Sequence, residues 1–415
     1  MDFLIFCTVQ QEKQLINGVN NYMPRPLTYA PIPKFTDVVK AFIVGKRTNS
    51  EDLAKPWLLS NEKSYWFSRS AWSLYTVIKF RMKTKSLDKI SIWLPSYFCN
   101  ESTIPIRTLG CSISFYPVLY DGTPDATKFD LMLDKGLPDI ILFVHYYGKP
   151  TISDKIYNFS KKNRIWLIED AAHCITPDDN IGKYGDFVIY SPHKIFAVPD
   201  GALLLISENG PHNISFDLLD KFGFNDLYNS IIYKNNKLLI SDAHKWLFKR
   251  ILQILGYRRV SKSLTFKDSE STLSIDTFPH PMMSSISFRL LRSTIFKINA
   301  EKNKRKANQS KWHSTLRSNL LSNFIEDHEG DYTPYLAKFA FNDAKIAEKF
   351  FIFFKSIKIP VSTWPDLPPE VLLRPSYYDK TIKMKDRCFY LPVHQSINPN
   401  NIELIMDDLN IQDGR

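Results

Sequence analysis

The chain has 415 residues, 44% apolar and 23% charged, with 54 Lys and Arg against 43 Asp and Glu for a net charge of +11. At roughly 150 residues per domain the length fits two or three domains, or one large and one small, with apolar content enough for a sizeable core. Only 14 glycines and no G-x-G-x-x-G or G-x-x-x-x-G-K-[ST] argue against a glycine-rich nucleotide loop, and five scattered cysteines without C-x-x-C argue against a disulfide framework or a zinc site.

Those cysteines (Cys7, Cys99, Cys111, Cys174 and Cys388) suit a reducing compartment. The opening "MDFLIFCTVQQEK" has too short an apolar run for a secretory leader, and no segment reaches the ~18 apolar residues of a membrane span. The expectation is a soluble cytoplasmic protein with no membrane or nucleic-acid partner.

In chain order, residues 1–55 read as a proline-marked extension ("YMPRPLTYAPIPKF") with a short helix near "TDVVKAFIVGK". "SAWSLYTVIKFRMK" (70–83) has helical spacing, and Ser68 or Ser70 can cap it. "ISIWLP" (90–95) is an apolar run ended by proline, and "ESTIPIRTLGC" is a helix weakened by Pro105. "SISFYPV" (112–118) reads as a strand, "DIILFVHYY" (139–147) as a stronger one, and "SDKIYNFSKKN" (153–163) as a helix. Three more strands follow: "RIWLIE" (164–169), "DFVIYS" (186–191) and "GALLLIS" (201–207). Continuously apolar strands alternating with helices predict an α/β fold, a mostly parallel sheet flanked by helices on both faces.

Beyond about residue 210 come long amphipathic helices, "DAHKWLFKRILQIL" and "ISFRLLRSTIFKINAEKNKRK". The basic run "KINAEKNKRKANQSKWH" (297–313) reads as a solvated helix face, the alternative being attraction of an anionic partner. Near 330 a smaller α/β unit begins: "YTPYLAKFAF", the helix "DAKIAEKFFIFFKSI", then "KIPVSTWP", "CFYLPVH" and a last helix "NPNNIELIMDDLN" capped by Asn398 or Asn400. The expected division is an N-terminal extension (1–55), a large cofactor-binding domain (56–255), and linking helices with a small C-terminal α/β domain (256–415).

Ligands of open α/β sheets sit outside the carboxyl ends of the strands. Asp170 follows "IWLIE", Lys194 follows "DFVIYSPH", and His145 with the Tyr146-Tyr147-Gly148 turn follows "DIILFV", so all belong to one sheet edge. Singly, Asp170 reads equally as a loop acid capping a helix, Lys194 as a solvated lysine, and His173 as a packed loop residue. Together they match one chemistry. Pyridoxal phosphate needs a lysine for its aldehyde, a carboxylate for its ring nitrogen and a helix start for its phosphate.

The stretch "LIEDAAHCITPDDNIGKYGDFVIYSPHKIFAVPDGALLLI" resembles the core of the DegT/StrS-type sugar aminotransferases, fold type I pyridoxal-phosphate enzymes. "VHYYGKPTISDKI", "LPSYFCNESTIPIRTLGCSISFYPV", "YWFSRSAWSLYTVIK" and "YLPVHQSINPNNIELIMDDL" resemble further family motifs, with the better match over about residues 60–210. The resemblance implies that Lys194 bonds the cofactor and carries protons, that Asp170 pairs with the ring nitrogen, and that His173 lies near the 3′-oxygen. It implies that Ser191 donates to the phosphate and that the amides of Arg69, Ser70 and Ala71 hold it, with the Ser70 hydroxyl a further donor. It also implies a nucleotide-linked keto-sugar substrate, an amino-acid donor (glutamate), a homodimer, and a place in surface-polysaccharide sugar biosynthesis.

The sequence departs from the family pattern in places. Ser191 stands three residues before the lysine instead of five, and "PDGA" (199–202) replaces "GEGG". Ser287 stands where the family carries an asparagine that reaches a partner subunit, and Ser68 replaces a glycine. His193, beside Lys194, leaves open a sugar dehydratase, in which histidine takes the lysine's place. The departures together leave open a non-catalytic homologue with a binding role.

Overall fold

The computed structural model describes residues 27–404, apart from 44–48, 126, 129–130, 152–153, 179, 209, 234–239, 256–265, 267–274, 276–277, 321–323, 326–329 and 365. Cys7 and the opening "MDFLIFCTVQQEK" lie outside the described residues. The main sheet contains β1 (Glu62–Phe67), β2 (Ser91–Pro95), β3 (Ser112–Tyr116), β4 (Ile140–Val144), β5 (Trp166–Ala171), β6 (Phe187–Tyr190) and β7 (Ala202–Ser207). Their spatial order is β1-β7-β6-β5-β4-β2-β3. Strands β2 to β6 are mutually parallel, while β7 runs antiparallel to β6 and β1 antiparallel to β7.

The apolar runs form strands because both faces of the sheet are covered. Along β7, Ala202, Leu204 and Ile206 enter one core, and Leu203 and Leu205 enter the other. Strand β6 divides likewise, Phe187 and Ile189 against Val188 and Tyr190. Helices α2 (Ser70–Lys85) and α3 (Asp154–Asn163) cover the first face through Leu74, Val77, Ile78, Phe80 and Ile156. Helices α1 (Phe35–Ile43), α5 (Ile240–Ile254) and α6 (Ser285–Thr294) cover the second through Val38, Ala41, Leu247, Ile286 and Leu290. Between them, α4 (Pro192–Ile195) is a single turn after β6.

A third core belongs to a smaller antiparallel sheet of order β10-β9-β8: Cys388–Pro392, Leu336–Phe341 and Phe324–Ile325. Helices α7 (Ile298–Leu320) and α8 (Ala344–Ser356) close it, with Trp312, Phe339, Phe351, Phe354 and Phe389 in contact. Among the described residues no helix is long and apolar enough to cross a membrane.

Four local readings change. Strand β1 is absent from the sequence reading because its first half, Glu62-Lys63-Ser64, is polar; it is an edge strand, and pairing with β7 along its full length makes it. Neither Ser68 nor Ser70 caps α2: the N-cap is Arg69, without a side-chain hydrogen bond. "KIPVSTWP" contributes one isolated bridge, Ser362 to Tyr390, instead of a strand. The basic run is not simply solvated, since α7 turns Arg305, Asn308 and Trp312 inward to almost complete burial. At the last helix, helical over 399–404 within the described residues, the Asn398 side chain accepts the Asn400 amide at 3.2 Å, the expected cap.

One buried charge holds the centre of the main sheet. The Glu169 carboxylate of β5 is fully buried and accepts the amides of Tyr184 (2.9 Å), Gly185 (3.0 Å) and Gly182. His145 Nε2 lies 2.8 Å away, and the Thr151 amide donates to its Nδ1 at 2.9 Å, so Nε2 is the donor to Glu169. Burial pushes the carboxyl up, but His145 and the amides outweigh it and hold Glu169 below the ordinary carboxylate range. Gly185 has to be glycine, because a Cβ there would lie 2.5 Å from the Phe187 carbonyl and 2.8 Å from the Glu169 Cβ.

Glu169→Gln sets an NH2 group among amide donors and is expected to cost about 3 kcal/mol in urea unfolding at neutral pH. Because the folded carboxyl has a depressed pKa, its contribution is present above the unfolded value and lost as pH falls through the folded one. The gap between wild type and variant therefore narrows on acidification below about pH 4; a constant gap contradicts this account.

Candidate active site

The pleat of β5 separates two neighbouring acids. Glu169 points into the core, and Asp170, next along the strand, lines a cavity of about 230 Å³. The cavity lies outside the carboxyl ends of the parallel strands and against the smaller sheet. Phe98 reaches it after β2, Tyr147 after β4, His173 after β5 and Lys194 after β6, while Tyr335 and Tyr390 close it from the other side.

Asp170 Oδ1 accepts the Ala172 amide at 2.9 Å. Burial raises this carboxyl, with the Lys194 charge and the amide opposing. Lys194 rides on α4, the turn that its N–H to Ser191 O bond (2.9 Å) and Pro192 start, and its Nζ lies 3.1 Å from His173 Nε2. The imidazole stacks on Tyr335 (centroids 4.7 Å, 12° between planes) and on Tyr147 (5.7 Å, 23°). Its Nδ1 accepts the Tyr147 amide at 3.3 Å, so both ring nitrogens are engaged. Burial first, then the Lys194 charge, hold His173 far below the usual histidine range, and the ring is neutral.

At the start of α2 the Ser68 hydroxyl goes to the His280 carbonyl and the Arg69 guanidinium to Pro199 O (3.3 Å). With no side-chain cap, the first-turn amides are left for another acceptor beside Ser70, which lines the cavity. The structure thus gathers Ser70, Asp170, His173 and Lys194 around one space. Arg69 and Ala71 flank Ser70 in the chain, Ser191 stands three residues before Lys194, and none of them is among the lining residues. Ser191 is fully buried, and its Oγ has no hydrogen-bond partner among the described residues.

Other expected residues turn elsewhere. His145 is committed to Glu169. His193 faces the Gly201 carbonyl at 2.9 Å, so lysine, not histidine, meets the cavity. Ser287 is used within its own chain: its Oγ accepts the Asp200 amide at 3.2 Å, while Asp200 Oδ1 accepts the Ser284 amide at 2.8 Å. These bonds tether the glycine-poor Pro199-Asp200-Gly201 loop. The Tyr146-Tyr147-Gly148 turn docks the small sheet: Tyr335 N–H donates to Tyr147 O at 2.7 Å, and a Cβ on Gly148 (φ +88°) would lie 2.2 Å from Thr333 O.

Sequence reasoning passed over Tyr97, Glu101, Trp364, Tyr390 and Arg305. Tyr97 and Glu101 follow β2, and the strand-end rule that found Asp170 reaches them; Trp364, Tyr390 and Arg305 come from the far side, which no spacing indicates. Arg305 is 1% exposed and donates to Ile195 O (2.8 Å) and Tyr335 O (3.2 Å), joining the lysine turn to the segment that stacks on His173.

Residues 135–236 match the model of the DegT/DnrJ/EryC1/StrS aminotransferase family. The UDP-4-amino-4,6-dideoxy-N-acetyl-beta-L-altrosamine transaminase of Campylobacter jejuni is 29% identical over 113 residues, 26% of this chain and 30% of that protein. The dTDP-4-amino-4,6-dideoxy-D-glucose transaminase of Shigella dysenteriae is 31% identical over 104 residues, 24% of this chain and 28% of that protein. The matched segment therefore spans less than a third of either curated relative. The solved structure of DesI in the presence of its TDP-sugar product aligns over 97% of this chain and 96% of its own, with TM-score 0.65 at 14% identity, a likeness of fold.

A neutral buried His173 loses stability on acidification, since only the unfolded chain takes up its proton below about pH 6.5. His173→Gln keeps a polar side chain without the titration. Between about pH 7 and pH 5 its unfolding free energy should fall by about 2 kcal/mol less than that of the wild type; equal pH slopes would sink this assignment.

Proposed function

With the family model, the curated transaminases and the solved structures all pointing to the DegT/DnrJ/EryC1/StrS aminotransferases, we propose that this protein is a pyridoxal-phosphate-dependent aminotransferase of nucleotide-linked keto-sugars. The observation that carries the reading is the meeting of Lys194 and Asp170 in one cavity at the sheet edge.

The residues present fit the cofactor. A buried carboxyl raised by desolvation gains from a cation, which a protonated ring nitrogen offers to Asp170. The uncapped start of α2 and the partnerless Ser191 Oγ offer donors for a phosphate. Ser70 and the amides of Ser70 and Ala71 would hold that phosphate with Ser191. His173 would meet the 3′-oxygen through Nε2, and Lys194 would hold the aldehyde carbon. The cofactor supplies a carbonyl that accepts an amino group and a ring that accepts an electron pair.

The chain supplies the remainder. Asp170 keeps a proton on the ring nitrogen. The Lys194 amine takes the proton from the α-carbon of the amino donor, for which we propose glutamate, and delivers one to the carbon of the keto-sugar. The stacked wall of Tyr147, His173 and Tyr335 keeps water from that transfer. A dehydratase role through His193 loses support, since that ring is turned to Gly201. We extend the reading to a homodimer in surface-polysaccharide sugar biosynthesis, which rests on the resemblance alone.

The purified protein should carry a visible band that glutamate shifts, and borohydride should fix the cofactor to Lys194. Lys194→Ala should lose the covalent attachment and at least about 10³-fold in turnover. A colourless wild type to which added pyridoxal phosphate does not bind would falsify the reading in favour of a non-catalytic binding protein.

A further inference from the structure

Two groups in the cavity have no task in the mechanism above. Glu101 lies on the short helical turn Asn100–Thr103 that follows β2, half-buried at the cavity wall. Among the described residues no hydrogen bond or ion pair engages its carboxylate. Trp364 comes from the opposite side, is 93% buried, and stacks on Tyr97 at 4.3 Å. Its indole N–H has no hydrogen-bond partner among the described residues. Both residues line the one cavity, Glu101 with an unfilled acceptor and Trp364 with a buried, unfilled donor. A buried donor without a partner costs free energy that a ligand can return.

A hydroxyl is the ligand group that answers both, since it donates and accepts through one oxygen. The flat indole beside it suits the C–H face of a pyranose ring. A carboxylate here also works against a second anion, so it favours the neutral sugar over the side-chain carboxylate of a glutamate donor. Resting on the proposed aminotransferase reading, we propose that Glu101 and Trp364 are specificity-determining residues that read a ring hydroxyl of the keto-sugar. Glu101 accepts its proton, and Trp364 Nε1 donates to its oxygen.

The test compares holoenzymes of the wild type, Glu101→Gln and Trp364→Phe, using TDP-4-keto-6-deoxyglucose and its 2-deoxy and 3-deoxy analogues as acceptors. Each half-reaction is followed separately by the cofactor band. Both variants should keep the band and the glutamate half-reaction, and lose roughly 10- to 100-fold in kcat/KM for the hydroxylated sugar, mainly through KM. With one of the deoxy analogues wild type and variants should become equal. Unchanged sugar kinetics, or a loss confined to the glutamate half-reaction, overturns the inference while leaving the aminotransferase reading intact. A wild type without a cofactor band overturns both.

Discussion

The structure depends on a carboxylate that is buried and kept ionised. Glu169 carries its charge at zero exposure because three amides of the 182–185 turn and the His145 ring converge on it. That convergence sets the chain leading into β6, and β6 delivers α4 with Lys194. It also fixes the pleat of β5, so that Asp170 must emerge on the opposite side. Two adjacent acids thus do unlike work: one ties the 182–185 turn and the segment after β4 to β5 inside the protein, and the other faces the cavity.

The second constraint is the join between the two sheets. Tyr390, Tyr147, His173 and Tyr335 form successive stacked contacts, with the two central rings from the main-sheet edge held between two tyrosines of the smaller sheet and its flank. Tyr97 binds the Tyr390 hydroxyl at 2.9 Å and stacks on Trp364. Aromatic rings at this density exclude water while leaving polar edges available, which is what a site for proton transfer requires. Arg305 completes the join: a guanidinium from the basic helix, spent on backbone carbonyls beside Lys194 and at Tyr335. Part of the positive charge conspicuous in the sequence is internal reinforcement, not surface field.

The departures from the family pattern cohere once the loops are seen together. The Ser68 hydroxyl and amide bind the 280–281 segment, the Ser287 hydroxyl accepts the Asp200 amide, the Ser284 amide donates to the Asp200 side chain, and the Ser68 carbonyl accepts the Gly201 amide at 2.9 Å. Hydroxyls that satisfy local carbonyls and amides replace flexibility with tethering. The segments beside the start of α2 are held by this chain's own serines.

The sequence alone determined the strands β2 to β7 and the long helices, because unbroken apolar runs and 3.6-residue spacing survive in any context. It also determined that Asp170 and Lys194 share an edge, since parallel strands all end on one side. Tertiary structure decided the rest. Glu62-Lys63-Ser64 become a strand only because β7 offers a partner, and whether a serine caps a helix depends on a carbonyl more than 200 residues away, as with Ser68 and His280. His173, His193 and His145 look alike in the chain, yet one faces the cavity, one a backbone carbonyl and one a buried acid. Orientation and burial are properties of the packed neighbours, and those neighbours come from segments that local spacing cannot relate.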